Sequence, residues 1–300
     1  MTTIKLVTDS SVQLTDEEIA EYHIHVVPLT VMIDNTIYID GETISRSEFM
    51  TAMAASATLP KTSQPPIGRF LDTYNELTAD GSEVLSVHML AALSGTVNAA
   101  RQAADMATGQ VTVIDSDFLD RAMSFQLIAA AKMIAKGAAM PEILAEMARV
   151  KARTKVLLAV TTLDNLVKGG RLSRAAGALG SLLNIKVILE VADGKLSVRQ
   201  KGRGAKTIHR FAASLLTHLQ QCERLAGVGI SYAGSAVYPQ TLADKLHAVR
   251  PTLPMIVRAT SPIIATHTGE GAFAVMYYTD QVNYSAINDR ASGNTADLHI

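Results

Sequence analysis

The chain has 300 residues, of which 48% are hydrophobic and only 18% charged, against roughly 25% charged in an average soluble protein. No run approaches about 20 consecutive strongly apolar residues, and the first nine residues lack the basic-then-apolar design of a secretory leader. One cysteine, Cys222, excludes an intrachain disulfide framework and a multi-cysteine metal site, and a net charge of −1 excludes a global basic field for nucleic acid. The expectation is a cytoplasmic globular protein with no metal and no nucleic-acid partner. Aromatics, at 5%, do not explain the apolar excess, which lies in aliphatic residues, alanine and 12 methionines.

In chain order, 4–8 predicts a short strand ending on Asp9-Ser10-Ser11. Thr15 with Glu18 three residues later predicts a capped helix start. Residues 25–32 are β-branched and predict one strand, with 33–39 as its antiparallel partner through a turn at Asp34-Asn35. A helix over 47–57 follows, and Thr62-Ser63-Gln64-Pro65-Pro66 is expected to open another running to about Leu77, since proline suits a first helical turn. Strand 84–88, helix 96–107, strand 111–114, helices 122–135 and 140–153, and strand 156–160 complete the first half. The texture changes near residue 163. Beyond it come strands 186–191 and 196–200 around an Asp193-Gly194 hairpin signal, helix 206–221, strand 227–232, helix 238–249, and β-like segments 255–259 and 272–278.

Alternation of strands and helices predicts an α/β protein of two domains. The first, 1–163, is a mostly parallel Rossmann-like sheet flanked by helices; the second, 164–282, has a mixed or antiparallel sheet; 283–300 is a polar tail.

Asp9-Ser10-Ser11, Leu93-Ser94-Gly95-Thr96 and Asp115-Ser116 each lie at the carboxyl end of a predicted strand, the edge where open α/β sheets bind ligands. At Ser94, the hydroxyl and the Gly95 and Thr96 amides would meet at a helix N-terminus, which suits a carboxylate or phosphate. Thr62-Ser63 makes a second hydroxyl-rich start; plain N-caps are the alternative reading of both. His267, in Thr266-His267-Thr268-Gly269-Glu270-Gly271, is either a hydrogen-bonding or proton-carrying group or a structural turn histidine. Two basic stretches, 168–174 and 195–210, are either partner-docking or solvated faces.

Familiar catalytic patterns fail. There is no phosphate-binding P-loop and no His-Glu-x-x-His, and Gly227-Val228-Gly229 lacks the third glycine of a dinucleotide fingerprint. Ser94 is not in a nucleophile elbow, because residue 92 is Ala and residue 96 is Thr.

The ordered set Val7-Thr8-Asp9-Ser10-Ser11, Val26-Val27-Pro28-Leu29, Asp40-Gly41, Thr62-Ser63-Gln64-Pro65, Leu93-Ser94-Gly95-Thr96, Thr112 to Ser116, Gly169-Gly170-Arg171-Leu172-Ser173 and His267 to Gly271 resembles the DegV family of fatty-acid-binding proteins over residues 4–280. The resemblance implies a protein without catalysis of its own that buries one long-chain fatty acid between two domains. Thr62 and Ser94 would hold its carboxylate with Gly95 and His267 nearby, and Ser10, Ser63 and Thr96 would be further pocket residues. Some family members are subunits of a fatty acid kinase that present the carboxylate to an ATP-dependent partner and carry the acyl phosphate toward phospholipid synthesis. Arg171 and Arg174 would face that partner, and a transient contact with a membrane surface is compatible with such a role. No cofactor is implied. The expected anchor is neutral, because a buried cation would hold a carboxylate that must later react too strongly. Two alternatives stand beside this: a serine acyl hydrolase using Ser94 and His267, and a lipid-responsive regulatory protein.

Overall fold

The computed structural model describes residues 3–172 and 185–280. Strand β1 (Ile4–Asp9) leads to helix α1 (Asp16–Glu21), where Thr15 and Glu18 form the expected reciprocal cap: Thr15 Oγ1 accepts the Glu18 N–H at 3.1 Å, and the Glu18 carboxylate accepts the Thr15 N–H at 3.0 Å. The single strand predicted over 25–32 is two. β2 (Ile24–Val27) runs parallel to β1, and the chain then leaves that sheet as β3 (Thr30–Ile33). Pro28 separates them because it has no N–H to continue a ladder. β3 pairs with β4 (Thr36–Ile39) through Asp34 and Asn35, both at positive φ (43° and 69°), the backbone of a tight two-residue hairpin.

After α2 (Arg46–Ala55), Thr62 lies not at a helix start but on β5 (Lys61–Ser63), opposite Val31 of β3. The cause is the Pro65-Pro66 pair, which holds the residue before each proline extended. Helix α3 (Ile67–Thr78) starts only after Pro66. Next come β6 (Glu83–His88), α4 (Thr96–Met106), β7 (Val111–Asp115), α5 (Asp120–Ala135) and α6 (Met140–Arg153). Strands β2-β1-β6-β7 form an all-parallel four-stranded sheet, and β4-β3-β5 a small antiparallel one.

The second half contributes β8 (Thr154–Val160), α7 (Asp164–Lys168), β9 (Ile185–Ala192), β10 (Lys195–Arg203), α8 (Lys206–Gln221), β11 (Leu225–Tyr232), α9 (Val237–His247), β12 (Met255–Ala259), α10 (Pro262–Thr268) and β13 (Phe273–Thr279). Their sheet runs β10-β9-β8-β13-β11-β12 and is antiparallel except for β11 with β12. This is the α/β architecture expected, a parallel sheet followed by a mixed one. Because β8 pairs with both β9 and β13, sheet membership changes ahead of β8 rather than near residue 163. β10 is an edge strand whose exposed face carries Lys195, Arg199, Lys201 and Arg203, with Arg199 paired to Glu190 at 2.8 Å. Cations on an edge discourage pairing with another chain. The tail at 283–300 and Arg174 lie outside the described residues.

Helix α5 lies between the layers. It packs on β1 and β6 on one side and on β8, β11 and β13 on the other, so residues 120–127 are all buried. One core runs through it from Leu6, Leu85 and Val87 to Val160, Val187 and Leu189.

Asp40 gives this fold a pH signature. It is 6% exposed, accepts the Ser10 hydroxyl at 2.7 Å, and burial pushes its carboxyl up to about 6, opposed by Ser10 and Arg46. A carboxyl raised on folding favours the native state below its unfolded pKa, and that contribution is lost as pH rises through about 6. Asp40→Asn is therefore expected to stabilise the protein at pH 7 by up to about 3 kcal/mol, and to change little at pH 4, in urea titrations at the two pH values.

Candidate functional site

Between the two layers lies a cavity of about 330 Å³, within the range of pockets that hold small organic ligands. Its apolar wall follows from strand pairing. Leu196 of β10, Val191 of β9, Val156 of β8 and Met276 of β13 are register partners in one row across four strands, and Leu158 faces Ala274 in the next. All six line the cavity, as do Leu29, Met89, Leu93, Leu119, Leu166 and Ile263 from other elements. Met89 and Met276 supply the flexible, polarizable surface that suits an adaptable apolar ligand.

The polar groups gather at one set of elements. β5 supplies Thr62, with Ser63 and Gln64 beside it; the loop before α4 supplies Ser94 and Gly95; α10 supplies His267; and Arg171 follows α7. Thr62 Oγ1 and His267 Nε2 are 2.9 Å apart across 205 residues of sequence. Ser63 and Gln64 are exposed, whereas Thr62, Ser94, Gly95, Arg171 and His267 are half-buried. The wall residues Val156, Val191, Ala274 and Met276 are buried. The cavity thus has a polar mouth and a mostly apolar interior, with Asp120 and Thr268 as buried polar residues in its lining.

Local structure explains each position. Ser261 caps α10, accepting the Ile264 N–H at 3.4 Å, with Pro262 in the first turn and Gly269 at φ 75° ending the helix just past His267. His267 therefore stands in a last helical turn rather than in an open loop. Gly95 is the N-cap of α4, and a Cβ there would lie 2.0 Å from Gln64 Oε1, so only glycine lets that side chain close over it. Gly169 plays the same part under His267, whose Nδ1 would be 2.3 Å from an added Cβ.

Burial and then the Arg171 charge lower the His267 imidazole to about 4, so the ring is neutral at neutral pH. Its Nδ1 is buried and has no hydrogen-bond partner among the described residues. Ser94 Oγ pairs with Thr96 Oγ1 at 2.8 Å and accepts the Thr96 N–H at 3.3 Å. His267 thus engages Thr62, not Ser94, and the nucleophile–base pair of the hydrolase alternative is not formed.

Of the expected pocket residues, Thr62, Ser63, Ser94, Gly95 and His267 line one cavity. Ser10 and Thr96 do not. Ser10 Oγ donates to Asp40 and accepts the Leu29 N–H at 3.1 Å, and Thr96 is fully buried behind Ser94. Arg171 stands in the cavity lining instead of as a free surface charge, because Nε donates to the Leu93 carbonyl at 3.2 Å and Nη1 to that of Gly169 at 2.7 Å. The mouth is therefore not the purely neutral anchor expected. Among the described residues no cluster of His, Cys, Asp or Glu could hold a metal ion, and no helix is long and apolar enough to cross a membrane.

The profile described as "Uncharacterised protein, DegV family" matches residues 3–280. The chain belongs to the DegV family. A DegV domain-containing protein of Streptococcus pneumoniae serotype 4 is 45% identical over 92% of this chain and 98% of its own length. The structure is also similar to two solved DegV proteins. One, from Thermus thermophilus, is described by its fatty acid binding (30% identity, TM-score 0.82, 93% of this chain and 100% of that one). The other is DegV of Bacillus subtilis, described as a fatty acid binding protein (28% identity, TM-score 0.86, 93% and 100%).

Proposed function

We propose that this DegV protein binds one long-chain fatty acid, tail against the row Leu196, Val191, Val156 and Met276 and carboxylate at Thr62 and Ser94. The observation that carries the reading is a cavity whose buried, mostly apolar wall ends at a half-exposed cluster of hydroxyls, a neutral imidazole and one guanidinium. With the imidazole proton on Nε2, His267 donates to Thr62 Oγ1, and the Thr62 proton is free to point at a carboxylate. Arg171 adds long-range attraction, with two of its five N–H donors, one on Nε and one on Nη1, given to the Leu93 and Gly169 carbonyls. The fatty-acid-binding descriptions of the Thermus and Bacillus proteins support the ligand class.

A carboxylate at the mouth is reachable by a second protein. The reading therefore extends to presentation of that group to a separate ATP-dependent kinase, with this chain then carrying the acyl phosphate. Family resemblance and the half-exposed mouth support that extension.

Native mass spectrometry of protein purified after recombinant expression tests the binding. A copurifying fatty acid is expected, and the double variant Thr62→Ala, Ser94→Ala is expected to lose it. No bound fatty acid, or a double variant that retains it, overturns the reading. For the kinase step, acyl hydroxamate trapped with hydroxylamine is expected only when loaded protein, ATP and cell extract are combined.

A further inference from the structure

Ser94 rides on the loop that leaves β6, and the two strands flanking β6 each end on an aspartate bonded to that loop. Asp115, closing β7, accepts the Ala91 N–H at 3.1 Å. Asp9, closing β1, accepts the Met89 N–H at 2.9 Å and is wholly buried. Asp9 also accepts the Ser11 N–H (3.0 Å) and hydroxyl (2.5 Å) on Oδ1, and faces His88 Nδ1 at 3.1 Å through Oδ2. Four donors thus fill about four lone-pair positions, the full capacity of a carboxylate.

Behind His88 the network continues. Its Nε2 is 2.7 Å from Ser86 Oγ, which is 2.8 Å from the Tyr74 hydroxyl. With the His88 proton on Nδ1 every member is satisfied, Tyr74 donating to Ser86, Ser86 to His88 and His88 to Asp9. Ser86, His88 and Asp9 have the connectivity of a hydrolytic triad, yet all three are 0% exposed, and the Phe70 ring closes edge-on against His88 at 5.0 Å. No substrate reaches Ser86. A saturated buried network of this kind fixes geometry, and the geometry it fixes is the start of the loop that carries Ser94.

We infer that Asp9 is a positioning residue for the head-group site. Oriented by His88, its carboxylate pins Met89 N–H and so sets where Ser94 meets the ligand, with Asp115 as a second hold on the same loop. The inference rests on the proposed carboxylate site at Ser94. Asparagine does not replace Asp9 without loss, because its amide nitrogen would face either the N–H groups of Met89 and His88 on one side or the Ser11 N–H on the other.

The test compares hexadecanoic acid with hexadecan-1-ol, both delivered on cyclodextrin to delipidated protein and measured by calorimetry. The parent is expected to prefer the acid. In Asp9→Asn that preference is expected to fall about tenfold toward the value of Ser94→Ala, with alcohol affinity unchanged. Equal weakening of acid and alcohol, or no weakening, overturns the inference. A parent with no preference for the acid instead overturns the head-group reading itself. Should Asp9→Asn fail to fold, His88→Phe removes the donor that orients Asp9; it is expected to lower acid preference alone, and an unchanged preference overturns the inference.

Discussion

Ala274→Phe is expected to weaken binding of a long-chain fatty acid by about a hundredfold or more, while leaving the delipidated protein at least as stable as the parent. Ala274 is buried on β13, pairs across the sheet with Leu158, and lines the cavity in line with Met276. A phenyl ring there takes space that acyl methylenes would occupy. Excluding about four methylenes, at about 0.8 kcal/mol each, costs about 3 kcal/mol, or roughly a hundredfold in affinity. The same ring buries itself in what is otherwise an empty apolar cavity, and cavity filling commonly stabilises by about 0.5–2 kcal/mol. Opposite signs for binding and apo stability separate this from a folding defect. Calorimetric Kd values and urea midpoints of the delipidated proteins check both, and an unchanged Kd would mean that the chain does not run past Ala274.

What was legible in the sequence was local. The Thr15 cap, the Asp34-Asn35 hairpin and the Asp193-Gly194 hairpin each depend on neighbouring residues, and each formed where expected. The split of 25–32 at Pro28 could have been read from the missing N–H, and the extended course of 62–64 from the two prolines that follow. Sheet membership could not. β8 is tied to β13 more than a hundred residues later, and no local pattern carries that pairing. The same holds for the site. Ser10 and Ser94 look alike, each a hydroxyl just past a strand, but Asp40 and the Leu29 amide consume Ser10 while Ser94 remains at the cavity. Arg171 resembled a surface charge because its partners are carbonyls, which leave no mark in sequence. Val156, Leu157 and Leu158 are all apolar, so nothing in the sequence marks which face of β8 lines the cavity.

Asp120 is where the two layers are joined, and Asp120→Ala is expected to cost about 3–5 kcal/mol of stability, since it strips the acceptor from two buried hydroxyls and a backbone N–H at about 1–3 kcal/mol for each group left unsatisfied. The residue is 4% exposed and begins α5 at φ 56°. It accepts the Ser231 hydroxyl at 2.6 Å, the Thr260 hydroxyl at 2.7 Å and the Arg121 N–H at 2.8 Å, while its own N–H donates to the Ser11 carbonyl at 3.0 Å. Ser231 and Thr260 belong to the end of the mixed sheet, and Ser11 to the loop after β1. Gln13 reinforces this seam by donating to Ser231 Oγ at 2.8 Å, and Arg46 by donating to the Ala259 carbonyl. Burial pushes the Asp120 carboxyl up, and the hydrogen bonds from Ser231 and Thr260 and the Arg46 charge oppose that shift without reversing it. Alanine would leave the hydroxyls without their acceptor and would itself resist the left-handed backbone, whereas Asp120→Asn keeps a carbonyl acceptor and tolerates that conformation. The asparagine variant is therefore expected to lose no more than about half as much. Urea unfolding of delipidated protein checks this, since bound lipid would add its own mass-action stabilisation to the parent. An alanine variant within about 1 kcal/mol of the parent would show that apolar packing across α5, and not this seam, holds the layers together.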